Sequence, residues 1–224
     1  MFKAVLFDLD GTLLNRDKSI ELFINQQYER LFDLLSHISK EQYNSRFIEL
    51  DNRGYVWKDK VYQQLIDEFN ISSVTCEELL QDYLKEFKNH CVGFPHIHEM
   101  LEELKNNKIA LGMITNGFGQ FQMENIKALN IDQYFDVILV SEWEGMKKPN
   151  PQIFINALEK LNVEPSESVF IGDHPENDVK AAQNVGMKGI WKRDNQWTDV
   201  EADAIIDDYF KLPVILKKLN FKHT

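Results

Sequence analysis

The sequence predicts an α/β protein in which a doubly wound parallel sheet is interrupted by a long helical insertion. Three observations predict it. Short β-branched and aromatic runs alternate with helical patterns through most of the chain. A stretch of about seventy residues after the first run shows helical periodicity and no strand pattern, far longer than an ordinary crossover. Polar clusters follow the carboxyl ends of four of the apolar runs, where open parallel sheets bind ligands. Short strands alternating with helices of about three turns call for a sheet covered on both faces.

The elements follow in chain order. Residues 4–9 read as a buried strand that runs into a glycine turn at Asp8-Leu9-Asp10-Gly11-Thr12. Between Lys18 and His90, Leu22, Tyr28, Leu31, Leu34 and Leu35 recur at helical spacing. Tyr62, Leu65, Ile66 and Phe69 do the same, as do Leu79, Leu80, Tyr83, Leu84 and Phe87. These make an inserted all-helical subdomain, residues 16–93, set into a core of residues 1–15 and 94–224. Its hinges are expected near 14–17 and 91–95. Further strands are expected at 109–114, 137–140, 168–171 and 189–191, with helices at 97–107, 121–129, 151–161 and 177–185. Pro151 suits the first turn of its helix, where a missing N–H costs nothing. A last strand at 204–206 and a helix at 212–219 close one edge.

Composition narrows the function classes. The 224 residues are enough for one ordinary domain with an inserted subdomain, folding without metals or disulfides. Apolar residues at 43% and charged residues at 27% give an ordinary globular balance, with disorder expected only in the last few residues. Twenty-five Lys and Arg against 36 Asp and Glu leave a net charge of −11, which disfavours capture of nucleic acid polymers or anionic membranes. The opening apolar run is broken by Asp8, so it is neither a secretory segment nor a membrane span, and a cytoplasmic location is expected. Cys76 and Cys91 are too few for a disulfide scaffold and read as buried or half-buried thiols.

The chemistry is concentrated at the strand ends. Asp8 and Asp10 end the first strand; Thr115-Asn116-Gly117 follows the second; Lys148-Pro149 follows the third after a loop; Gly172-Asp173 through Asp178 follows the fourth. Two carboxylates as close as Asp8 and Asp10 repel unless a cation neutralises them or one takes a proton. Asp173 adds a third. An oxygen-only ligand set without a His/Cys cluster points to a hard divalent ion, Mg2+ above all. Lys148 is suited to clamp transferring oxygens, with Lys147 its competitor. Thr115 offers a hydroxyl and Asn116 an amide, and Gly117 lets backbone approach a phosphate, although such a tripeptide also makes ordinary turns.

This ordered set of motifs resembles the haloacid dehalogenase superfamily, in the phosphatase branch that carries a helical cap of the first type. The likeness runs from the first residues to about Trp191 and implies a Rossmann-like core. It also implies a cytoplasmic phosphatase similar to nucleotidases and to phosphoglycolate and pyrophosphate phosphatases. In such enzymes Asp8 is the nucleophile that becomes an aspartyl phosphate. Asp10 protonates the leaving alcohol and then activates water. Mg2+ is held by the side chains of Asp8 and Asp173 and by the backbone carbonyl of Asp10. Thr115 binds the phosphoryl group with Asn116 close by, and Lys148 neutralises Asp8 and the phosphate. Asp178 orients Lys148 or a metal-bound water. The second acid, Asp10, sets the chain apart from true 2-haloacid dehalogenases. A β-phosphoglucomutase-like transfer and a non-catalytic phosphometabolite-binding role on the same fold compete with hydrolysis. A receiver domain lacks both this second acid and the insertion.

The expected partner is a small phosphorylated metabolite, a nucleotide or sugar phosphate, and the protein is a monomer or homodimer. Within the insertion, Arg16, Arg46, Arg53 and Lys58 are either substrate contacts or else solvated helix-surface residues or salt-bridge partners. Tyr55 and Trp57 either stack on a base or pack between helices. His174, beside Asp173, is read as loop packing or a peripheral hydrogen bond rather than a group that assists water, and His96 and His98 as structural.

Overall fold

In the computed structural model, residues 2–221 are described. In chain order they form β1 (Ala4–Phe7), then the helices α1 (Arg16–Arg30), α2 (Phe32–Leu35), α3 (Lys40–Asp51), α4 (Lys58–Phe69) and α5 (Cys76–Glu86). Next come α6 (Ile97–Asn106), β2 (Ala110–Thr115), α7 (Gly119–Ala128), β3 (Val137–Val140), α8 (Ser141–Glu144), α9 (Pro151–Leu161) and β4 (Ser168–Gly172). A π-helical turn, Pro175–Lys180, leads into α10 (Ala181–Asn184), followed by β5 (Lys188–Lys192), β6 (Ala204–Ile206) and α11 (Leu212–Phe221). The expectation of disorder at the chain end falls on residues 222–224, outside the described ones.

The strands make a six-stranded sheet in the order β3-β2-β1-β4-β5-β6, parallel at every pairing. The order turns at β1, whose neighbours are β2 and β4, so its carboxyl end opens on the switch point where such sheets bind ligands. Alternation along β1 sends Ala4 and Leu6 into a buried cluster with Ile153, Phe154 and Ala157 of α9 and Phe170 of β4. Phe7 meets the ring edges of Phe135 and Tyr209. Each of the Leu, Ile and Phe side chains among these, fully buried, stabilises the fold by about 1.5–3 kcal/mol. α9 begins as its sequence demands: Asn150 caps the Gln152 N–H at 3.0 Å and Pro151 fills the first turn.

The chain divides into two compact units, Met1–Leu14 with Gly93–Thr224, and Asn15–Val92. The second is helical throughout its regular elements. α5 starts at a capping box, with Thr75 Oγ1 accepting the Glu78 N–H and Glu78 accepting the Thr75 N–H. Phe23 and Phe87 pack around Tyr83. The helical spacing from Leu22 to Leu35 is carried by two helices, α1 ending at Arg30 and the short α2 following.

Other boundaries shift for local reasons. β1 stops at Phe7 because the Leu9 carbonyl accepts the N–H groups of Thr12, Leu13 and Leu14, curling the chain into a turn. The helix expected from residue 177 starts at Pro175, since His174 Nδ1 accepts the N–H groups of Glu176 and Asn177 at 3.1 and 3.2 Å. That makes His174 a cap, and its ring rests on Trp197. Both thiols are half-buried and outside any disulfide among the described residues, with Cys76 Sγ 3.2 Å from the Asp59 carbonyl and Cys91 Sγ 3.8 Å from that of Phe87. Among the described residues no helix is long and apolar enough to cross a membrane.

Candidate active site

The site is built on the carboxyl ends of β1, β2 and β4. Asp8 follows β1 directly, its N–H still bonded to the Ile171 carbonyl, so the sheet sets its position. The turn after it is tight. Gly11 lies at φ +78°, and a Cβ there would come within 2.4 Å of Asp173 Oδ2, so glycine is what lets Asp173 approach the turn. The buried Tyr209 hydroxyl donates to the Thr12 carbonyl at 2.8 Å and ties the turn to the far end of the chain.

Lys148, 3% exposed, joins two carboxylates: Nζ lies 2.6 Å from Asp8 Oδ1 and 2.6 Å from Asp178 Oδ1. Thr12 Oγ1 donates to Asp8 Oδ2 at 3.3 Å, and Asp178 Oδ2 accepts the His174 N–H at 3.0 Å. A Cβ on Gly172 would strike the Asp178 side chain, so the end of β4 is cleared for it. Trp191 at the end of β5 donates its indole N–H to the Asp173 carbonyl at 2.8 Å. Oxygens of Asp8, Asp173 and Asp178 all lie within 4.8 Å of one another.

The electrostatics are those of an excess of negative charge. Burial, partly offset by Lys148 and reinforced by Asp178, pushes the Asp8 carboxyl up to about 6. Burial and the facing Asp8 and Asp178 carboxylates hold Asp173 well above the usual carboxylate range. Burial opposes the charge on Lys148, yet Asp178 and Asp8 together outweigh it and raise its pKa. One ammonium among three carboxylates leaves a net negative cluster of oxygen ligands, which fits a hard divalent cation such as Mg2+.

The remaining expected residues lie around this cluster. Thr115 ends β2 fully buried, with Oγ1 3.0 Å from Gln122 Nε2. Asn116 is engaged with the backbone of Lys148, donating to its carbonyl at 3.0 Å and accepting its N–H at 2.9 Å. This double clip fixes the segment that delivers the lysine, and it distinguishes Lys148 from Lys147. The Gly117 N–H donates to Ser141 Oγ at 2.9 Å instead of facing an anion. The Asp10 carboxylate is not in the carboxylate cluster; its Oδ2 accepts from Gln122 Nε2 at 2.6 Å.

Gln122 was invisible to motif reading, since it belongs to a helical run and bonds a partner 112 positions away. Of the charged residues singled out in the insertion, Lys58 is 1% exposed and paired with Asp51, which Arg16 also holds at 2.8 Å. Lys58 is thus neither solvated nor presented at a surface. Arg46 forms a two-pronged pair with Glu68, and Arg53 pairs with Asp17. Trp57 packs edge-on against Tyr83, whereas Tyr55 is 57% exposed.

The arrangement matches known proteins. Residues 5–192 match the family model described as haloacid dehalogenase-like hydrolase. A glyceraldehyde 3-phosphate phosphatase from Pyrococcus furiosus is 29% identical over 97% of this chain and 94% of its own length. A phosphoglycolate phosphatase from Aquifex aeolicus is 27% identical over 99% of the chain and 98% of its own length. Among solved structures, a haloacid dehalogenase-type phosphatase from Thermococcus onnurineus is 32% identical, covers 96% of this chain and 97% of its own, and superposes with a TM-score of 0.67. The strand-end carboxylates, the clamped lysine and these full-length likenesses lead to one assignment: the chain belongs to the haloacid dehalogenase-like hydrolases and is an enzyme of their phosphatase kind.

Proposed function

We propose that the protein hydrolyses a small phosphate monoester, with Mg2+, through an aspartyl phosphate on Asp8. The observation that carries this reading is the pair of contacts on Asp8: Lys148 on one oxygen and Thr12 on the other hold a carboxylate at the sheet's switch point, two residues from a second acid. In the first step an oxygen of Asp8 attacks phosphorus, the bond from phosphorus to the leaving oxygen breaks, and that oxygen takes the proton of Asp10. In the second step water attacks the phosphoryl group and gives its proton to Asp10, the Asp8–phosphorus bond breaks, and inorganic phosphate leaves. The cycle returns Asp10 to its acid form.

Asp8, Asp173 and the Asp10 carbonyl are the proposed metal ligands, and the ion supplies charge neutralisation at the phosphoryl oxygens. Lys148 neutralises Asp8 and the transferring group, and Asp178 with Asn116 keeps Lys148 in register. Thr115 is assigned to the phosphoryl group. The helical unit, proposed as residues 16–93, is given the task of selecting the organic part of the substrate and excluding water. The named relatives put three-carbon and two-carbon phosphates first in a substrate panel, with nucleotides and sugar phosphates behind them.

The experiment is phosphate release from that panel, with Mg2+ and with chelator, for the native protein and Asp8→Asn. The reading expects metal-dependent release, lowered at least about 10⁴-fold by Asp8→Asn. Release that needs no metal and survives the substitution would rule the mechanism out.

A further inference from the structure

We propose that Gln122 is the positioning residue for Asp10, fixing which of its oxygens faces the reaction; this rests on the reading of Asp10 as acid and base given above. Gln122 lies in the first turns of α7 and is 3% exposed. Its Nε2 lies 2.6 Å from Asp10 Oδ2, 3.0 Å from Thr115 Oγ1 and 3.0 Å from the Asn116 carbonyl. One amide group therefore touches the second acid and two consecutive residues at the end of β2.

The orientation of the amide follows from its neighbours. The Asn116 carbonyl only accepts, as does an ionised Asp10, so the nitrogen must face them. On the other side Gln122 Oε1 accepts from Asn125 Nδ2 at 3.4 Å, with Asn125 itself buried. Gly117 makes room, since at φ +149° a Cβ there would lie 2.8 Å from Gln122 Nε2.

The chemical consequence concerns geometry. An N–H directed at Oδ2 favours that oxygen as the acceptor, so the proton given to the leaving group is carried more stably by Oδ1. The amide has two N–H bonds for three acceptors, and the short contact to the carboxylate draws one of them most strongly. Asp10 is thereby held in one rotamer through both steps. Without it, the acid remains but its productive geometry is one among several.

The test uses leaving groups that need a proton to different degrees. An alkyl phosphate must have its leaving oxygen protonated; p-nitrophenyl phosphate loses p-nitrophenolate, which departs without a proton. kcat/KM for both substrates, which covers phosphoryl transfer to Asp8, is measured for the native enzyme, Gln122→Met, Gln122→Glu and Asp10→Asn, with thermal midpoints for all four. We expect Gln122→Met to lower the alkyl value about 10-fold or more and the aryl value less than about 3-fold, a fraction of the ~10²–10⁴-fold typical of acid–base help. Asp10→Asn shows the same selectivity, larger. Gln122→Glu keeps the side-chain length but turns an oxygen toward Asp10, and follows Gln122→Met even if the latter melts early. Equal losses on both substrates for the two Gln122 variants, beside a selective Asp10→Asn, would overturn the positioning role alone. An unselective Asp10→Asn would instead remove the acid–base reading beneath it.

Discussion

Two charge clusters in this molecule have opposite balance. At the end of β1, the carboxylates of Asp8, Asp173 and Asp178 gather close together and Lys148 bonds two of them. In the helical unit, the cations Arg16 and Lys58 both bond the one carboxylate of Asp51. In the first cluster burial raises the pKa of Asp8 and Asp173, and the neighbouring carboxylates add to the rise. The second ties the start of α1, the last turn of α3 and the first turn of α4. Lys58 also lies over the rings of Tyr83 and Trp57, 5.0 and 5.8 Å from their centroids. The lesson is that burial of charge alone does not mark a catalytic site. What marks one is a set of like charges arranged at a position where a ligand can be received.

Substitution of each lysine separates the two. Lys148→Met is expected to lower turnover about 10³-fold or more, because Asp8 and the transferring phosphate lose their fixed counter-charge. Steady-state kinetics at saturating Mg2+ checks this, and near-native turnover would erase the distinction. Lys58→Met is expected to leave kcat within about 3-fold while costing about 2 kcal/mol of stability, below the ~3–5 kcal/mol of an orphaned buried charge because Arg16 stays on Asp51. Denaturant titration beside kinetics reads both quantities. A loss of turnover without loss of stability would move Lys58 to the catalytic side.

A smaller effect sharpens the electrostatic half of the comparison. The metal-free pKa of Asp8 lies above its unfolded value, so the folded state binds more protons and stability falls as pH rises from about 4 through about 6. Mg2+ opposes this only where the carboxylates are ionised. Its stabilisation is expected to approach about 3 kcal/mol at pH 7.5, at a hundredfold excess over its dissociation constant, and to shrink at pH 5. Thermal melts at the two pH values with and without Mg2+ measure it. Equal stabilisation at both would mean that the ion binds elsewhere.

Much of the core was legible because its signals are local. The strand runs, the Pro151 helix start and the four polar clusters each lie within a few consecutive residues, and the parallel strand pairing brings the clusters to the carboxyl end of the sheet. The parts that could not be read are bonds between distant residues of ordinary type. Asn116 holding the Lys148 backbone, Gln122 meeting Asp10, and Tyr209 bonding Thr12 join positions 32, 112 and 197 apart. Glutamine in a helix and tyrosine near a chain end carry no signal of such a partner. The burial of Lys58 escaped for another reason: helical periodicity puts a lysine on a polar face, and the packing of α3 and α5 against α4 hides it.

The mechanism stands or falls on Asp8 as the carrier of the phosphoryl group. Rapid mixing of the enzyme with Mg2+ and a substrate, acid quench, borohydride reduction and peptide mass analysis would locate any acyl phosphate by its conversion to homoserine. Homoserine is expected at position 8 in the native protein, more of it in Asp10→Asn supplied with p-nitrophenyl phosphate, and none in Asp8→Asn. Active enzyme that yields no modified residue in any of these, or one at Asp10, Asp173 or Asp178, would contradict it.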